Sequence, residues 1–346
     1  MRAVRPLLAS LLVAACGGPA APPPPPPEPA PAASARAEAP PPPAPAAPPA
    51  EPPAPAAAKA PEAVPPEVKV LEAGAAPKKA LRYRFKAGTT EYLTMDLKMA
   101  MTMSVGDKVA PKAGLPTVRT TMKIDATELT PEGDLRCAFV AERVEVLRDA
   151  PLDPKAREAF EGELAGLVGM RGKTRVSTRG VASETDFELP PAASPKLKGQ
   201  LDSLRDAVRQ MYVPLPEEEV GRGAKWQVTS RVPLSGALMD AKLVYTLTKA
   251  GPDAASADVE TSLSAPPDQP MQLAELPPGA SATLESLSGR GAGKVAPSFV
   301  RLVGTGASQL SMDFTFRVAL RGEAMTMRMQ SDVAVSSRPG RAPAKK

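Results

Sequence analysis

The chain has 346 residues, 43 Lys and Arg against 38 Asp and Glu, a net charge of +5, no histidine, two cysteines and 44 prolines. Without histidine there is no Ser-His-acid triad, and the commonest general base and the usual zinc ligand are missing. The positive excess is small and dispersed, and the chain has one tryptophan, so the clustered basic residues and stacking aromatics of a nucleic-acid binder are not supplied.

Residues 1–16 read MRAVRPLLASLLVAAC: Arg2 and Arg5 open a basic start, and Leu7 to Val13 form an apolar run. That run is too short for a membrane span of about 20 residues and reads as an export signal. Val13-Ala14-Ala15-Cys16 resembles the lipobox of bacterial lipoproteins. The resemblance implies that Cys16 is lipidated, becomes the new N-terminus and holds the protein to a membrane. An ordinary signal peptide with a chance cysteine is the alternative. Gly17 and Gly18 follow with no aspartate, which by resemblance to enterobacterial sorting implies the outer membrane of the cell envelope. Residues 17–79 are nearly all Pro, Ala and Glu, with proline runs at 22–27 and 40–43. With no apolar pattern to bury, they read as a disordered Pro/Ala-rich linker, extending at most about 190 Å at ~3.1 Å per residue.

Residues 80–337 read as the folded region, as one domain or as two subdomains, 80–215 and 216–337. Its most regular stretch is Tyr92 to Val105. Leu93, Met95, Leu97, Met99, Met101, Met103 and Val105 alternate there with Thr94, Asp96, Lys98, Ala100, Thr102 and Ser104. Period two predicts a strand of roughly 40 Å with one apolar face, and a helix would scatter those side chains around its axis. Val118 to Ala126 and Leu135 to about Val146, separated by the turn Thr130-Pro-Glu-Gly133, complete a predicted antiparallel meander. Asp153-Pro154 predicts a helix start, with Phe160, Leu164, Leu167 and Val168 on its apolar side. Lys173 to Leu189 reads as a hairpin turning at Arg179-Gly180. Ser194-Pro195 predicts a second helix carrying Leu197, Leu201, Leu204, Val208 and Met211 or Tyr212, ended by Pro214 and Pro216.

The second half reads as strands from Trp226 to Val232 and Ser281 to Ser288, with Ala241 to Thr248 and Ala257 to Ser264 as a hairpin across Gly251-Pro252-Asp253. Gly289-Arg-Gly-Ala-Gly-Lys294 lacks the spacing of a phosphate loop and has Val295 where one needs Ser or Thr, so it reads as a turn. Leu310 to Leu320 and Met325 to Val335 form the clearest hairpin, and both strands match the long Met-rich one in length and pattern, which makes them its expected partners. Residues 338–346 read as a disordered basic tail. The expected fold is α+β: a long, curved, mainly antiparallel sheet, half-barrel-like, with two helices.

Cys137 sits at an apolar strand position and reads as a small buried hydrophobe. Glu217, Glu218 and Glu219 read as a solvated loop. Met95, Met99, Met101, Met103, Met325, Met327 and Met329 admit three readings: core filling, the lining of an adaptable apolar cavity, and, least favoured without histidine, a thioether copper site. No catalytic residue, cofactor or metal site is expected.

Phe85-Lys-Ala-Gly88 followed by Tyr92, then Gly169-Met-Arg-Gly172, and Leu215-Pro216 with Val220-Gly221 leading to Trp226, resemble a family of functionally uncharacterised lipoproteins with long Met-rich strands. More distantly, the expected architecture resembles the half-barrel lipid-carrier lipoproteins of bacterial envelopes. The long Met-lined faces, with helices available to cover them, predict a non-enzymatic, lipid-anchored envelope protein enclosing a hydrophobic small molecule. The alternative is a structural or protein-binding scaffold with a fully packed core, whose partner is another envelope protein; a third reading, a hydrolase using carboxylates alone, has no pair of acids distinguished by spacing.

Overall fold

The computed structural model describes residues 64–191, 193–194, 208, 211–272, 276, 279–320 and 323–343. Among them the strands are β1 (Val64–Glu72), β2 (Thr90–Val105), β3 (Lys108–Val109), β4 (Ala113–Gly114), β5 (Val118–Leu129), β6 (Leu135–Val146), β7 (Arg171–Val176), β8 (Ala182–Glu188), β9 (Lys225–Leu234), β10 (Ala237–Ala250), β11 (Ala255–Ser264), β12 (Gln269–Met271), β13 (Ala280–Ala296), β14 (Thr305–Leu320) and β15 (Glu323–Pro339), with one helix, α1 (Pro154–Ala165). All pairings are antiparallel and join the strands into one open sheet ordered β1-β9-β10-β11-β13-β14-β15-β2-β5-β6-β7-β8, with β3 and β4 on β2 and β12 on β13.

The alternation of hydrophobic and polar residues sets the register, because a slip of one residue would turn every side chain to the other face. Met329 lies opposite both Phe314 and Met103, and Met327 lies opposite Phe316 and Val105. Thus β15 is the direct partner of the long strand β2. The other expected partner, β14, reaches β2 only through β15. The meander β2-β5-β6 and the hairpins β7–β8, β10–β11 and β14–β15 form as the sequence predicts. The strands of 80–215 and 216–337 lie on the two sides of the β15–β2 pairing within this one sheet.

Three boundaries differ from expectation. Val64–Glu72, read as linker, forms the edge strand β1 on β9. Val68 and Val70 alternate with Glu67 and Lys69, and Pro65 and Pro66 sit at the strand start, where a missing N–H is tolerated. The Gly289–Lys294 stretch is not a turn but the interior of β13, paired on both sides. A Cβ at Gly291 would lie 2.5 Å from the Gln309 carbonyl oxygen, and one at Gly293 2.5 Å from that of Ala307, so close backbone approach calls for glycine there. At the C-terminal end, Arg338 and Pro339 belong to β15 and the Gly340 N–H donates to the Tyr92 carbonyl.

Helix α1 starts as expected: an Asp153 carboxylate oxygen accepts from the Lys155 and Ala156 N–H groups, and Pro154 follows. Phe160 is its buried residue, whereas Val168 beyond its end is exposed. The second expected helix falls almost entirely on residues 195–207 and 209–210, outside the described residues.

The two ends of the sheet share one core. Trp226 and Val228 of β9, near one end, belong to the same buried cluster as Cys137 and Phe139 of β6 and Val176 of β7, near the other. Two irregular segments cross between those ends. In the first, Lys79 pairs with Val220, then the Tyr83 N–H donates to the Thr178 carbonyl and the Arg84 N–H to that of Phe299. Tyr83 and Phe85 stack there at 5.1 Å, and Tyr212 and Phe299 meet them edge-on at centroid distances of 5.6 to 5.9 Å. Residues 211–224 form the second crossing.

Candidate functional site: the methionine-bearing face

On its core-facing side the sheet presents Val232, Ala241, Leu263, Leu284, Leu287, Phe314, Phe316, Met327, Met329 and Met103 as one buried cluster running from β9 to β2. Met99 and Met101 form a smaller adjoining cluster with Leu115 and Val333 packed against it. Register explains the continuity: Leu287, Phe314, Met329 and Met103 lie across four neighbouring strands in one row. Met99, Met101, Met103, Met327 and Met329 are buried, Met95 is half-buried, and Met325 is 52% exposed near the tip of the last hairpin. Ser331 interrupts the row of β15 as a buried hydroxyl residue directly opposite Met101 and Met312.

The other side of the strands faces water. Cross-strand ion pairs line it, including Arg231–Asp240 (2.8 Å), Asp258–Lys294 (2.7 Å), Arg119–Asp96 (2.7 Å) and Arg328–Asp313. Each is partly exposed and adds little by itself, but together they disfavour register slips. A sheet that crosses a bilayer carries an apolar band on its outer side and polar groups within, the reverse of this pattern. Among the described residues no helix is long and apolar enough to cross a membrane.

The ionisable groups fall into two sets. Hydrogen bonds from Arg119 hold Asp96 below the usual carboxylate range, and those from Arg328 and Lys112 do the same for Asp313 and Asp332. Asp149 drops to about 2 because its carboxylate accepts from the Thr117 hydroxyl (2.6 Å) and N–H (2.9 Å). These acids are held ionised, whereas a general acid near neutral pH needs a raised pKa. In the core, burial pushes the Cys137 thiol up to about 12 and raises the Tyr83, Tyr212 and Tyr245 hydroxyls. A thiol so disfavoured as thiolate is a poor nucleophile, in keeping with a hydrophobe in β6. Tyr212 is buried, and its hydroxyl has no hydrogen-bond partner among the described residues.

An open groove of about 350 Å³ lies at the β10–β11 and β13–β14 ends, lined by Thr248, Asp258, Lys294, Val295, Ala296 and Thr305 among others. None of the seven singled-out methionines lines it. Glu217 of the predicted acidic loop pairs with Arg179 at 3.4 Å. Among the described residues no group of three or more His, Cys, Asp or Glu could hold a metal ion. The lipidation candidate Cys16 lies outside the described residues. The feature that sequence reasoning missed is residues 213–217, whose successive carbonyls are bound by side chains distant in sequence. No local pattern announces it.

No protein-family model matches this chain, and no curated protein matches it either.

Proposed function

We propose that this is a non-enzymatic envelope protein, lipid-anchored through Cys16 and held off the outer membrane by its Pro/Ala-rich linker. On its half-barrel-like sheet, the core-facing side binds a hydrophobic small molecule. The carrying observation is the continuous apolar face from Val232 of β9 to Met103 of β2, set against an outer side lined by cross-strand ion pairs. Thioether side chains are flexible and polarisable, so Met103, Met327 and Met329 can adapt to varied apolar ligands better than branched residues. Met95, Met99, Met101 and Met325 extend that lining.

A second reading has its own support. The burial of Met99, Met101, Met103, Met327 and Met329 fits a fully packed core, and then the domain is a scaffold that binds an envelope protein from its tether. Titration with a hydrophobic fluorophore separates the two. Saturable binding, displaced by detergent-solubilised envelope lipid and weakened by Met329→Lys in a variant that keeps its fold, supports the carrier. Absence of binding removes it. The anchor is tested separately: Cys16→Ala abolishes incorporation of labelled fatty acid, and continued labelling refutes the assignment.

A further inference from the structure

Residues 213–217, Val-Pro-Leu-Pro-Glu, cannot pair on both sides as an interior strand because Pro214 and Pro216 lack N–H groups along one edge. Their carbonyls are bound instead by side chains, one after another. The Tyr83 hydroxyl donates to the Val213 carbonyl (3.3 Å), the Trp226 indole N–H to Pro214 (2.9 Å) and Arg179 Nε to Leu215 (3.1 Å). The Arg82 guanidinium donates to both Pro216 (2.9 Å) and Glu217 (2.7 Å). The Leu215 N–H returns to the Arg179 carbonyl at 2.8 Å, and Arg179 also pairs with the Glu217 carboxylate.

Two of the donors come from opposite ends of the sheet, and Arg82 and Tyr83 come from the segment that crosses between them. Arg179 lies in the β7–β8 turn, next to the edge strand β8, while Trp226 lies in β9, beside the other edge strand β1. The adjacent residues Pro214 and Leu215 are therefore each fastened to a different end, and β1 and β8 do not pair with one another. Gly180 completes the fit: it has φ +77°, and a Cβ there would lie 2.5 Å from the Val213 carbonyl oxygen. Leu215 and Pro216 are almost fully buried, but Arg82 and Arg179 are only half-buried, so water can compete for their hydrogen bonds.

We propose that residues 213–217 are a clasp closing the open sheet, and that its release separates the two ends and exposes the interior at Cys137 without global unfolding. Cys137 lies in the core cluster the two ends share, and Tyr83, Tyr212 and Trp226 belong to the same cluster. Local openings cost less than global unfolding where the hydrogen bonds that must break are open to water, as those of Arg82 and Arg179 are. This device does not depend on whether the interior binds a ligand.

The test is the rate at which a maleimide modifies Cys137 in the intact, folded protein, followed by mass spectrometry of the peptide carrying it. Opening of the clasp exposes only the part of the core between the two ends while the strand ladders stay intact, so the labelling rate should rise with urea less steeply than global unfolding does. Arg82→Met, which keeps the apolar stem but removes both donors, should speed labelling by roughly tenfold or more. Gly291→Ala, which strains the distant β13, should leave the native rate unchanged. Labelling of the unaltered protein with the full slope of global unfolding would overturn the proposal, and that test stands even if Arg82→Met fails to fold. So would an acceleration by Gly291→Ala equal to that by Arg82→Met.

Discussion

Replacing Gly291 by alanine separates a strand-interior glycine from a turn glycine by the sign of the effect. Gly291 has no positive φ, so alanine can adopt its backbone conformation. In a turn free of contacts, such a change stabilises by about 0.4–1 kcal/mol, because the unfolded chain loses freedom. In β13 the new Cβ would lie 2.5 Å from the Gln309 carbonyl oxygen and 3.1 Å from Leu310 Cδ1. A backbone oxygen cannot swing away as a flexible side chain can, so β13 and β14 must separate. The expected cost is about 1–3 kcal/mol, the range for forcing an extra methyl into a packed site. The neighbouring Arg290 is exposed, and Arg290→Ala should change stability by no more than about 0.5 kcal/mol. Urea unfolding followed by Trp226 fluorescence gives both numbers. A neutral or stabilising Gly291→Ala would refute the close approach of β13 and β14.

Met329→Ala should cost about 2–5 kcal/mol in urea unfolding and Met329→Leu less than about 1.5 kcal/mol, because Met329 is buried in a row with Phe314 and Met103. An alanine cost under about 1 kcal/mol would contradict close packing there. Tyr212→Phe should be neutral or stabilising by up to about 1 kcal/mol, since it removes a buried hydroxyl with no partner among the described residues. A clear loss of stability would show that the hydroxyl has a partner. Asp149 has a folded pKa of about 2 against an ordinary 3.8. Its contribution is therefore fully present above pH ~4 and lost as the pH falls toward ~2. Asp149→Asn should flatten stability across that window, and an unchanged pH profile would contradict the Thr117 contact. A chain beginning at Ala80 should be less soluble and less stable than one beginning at Pro61, because removing β1 exposes the edge of β9. Equal behaviour of the two would contradict β1 as part of the sheet.

Much of the sheet was legible because burial on one side imposes strict alternation. The run from Leu93 to Val105 and the hairpin from Leu310 to Val335 could be read directly, and even the methionine row of β2 and β15 follows from period two. The sequence misled where a residue's usual local meaning was overridden by a tertiary contact. Gly289, Gly291 and Gly293 carry the ordinary signature of a turn, yet the neighbouring strand's backbone accounts for Gly291 and Gly293. β1 was hidden because Pro65 and Pro66 continue the linker's composition up to the strand itself. The clasp was not legible, since its donors Arg82, Tyr83 and Arg179 lie 36 to 135 residues from the carbonyls they bind. For the methionines, alternation gives a shared face but not what occupies the space against it.

The most direct measurement is native mass spectrometry of the intact protein extracted from its native cells in mild detergent. With a hydrophobic ligand on the methionine-bearing face, the folded chain should carry one non-covalent apolar adduct beyond its covalent mass. Met329→Lys should strip that adduct while leaving any covalent modification in place. A folded protein at its covalent mass alone, together with no saturable binding of a hydrophobic fluorophore, would contradict the ligand-binding account and leave the packed scaffold.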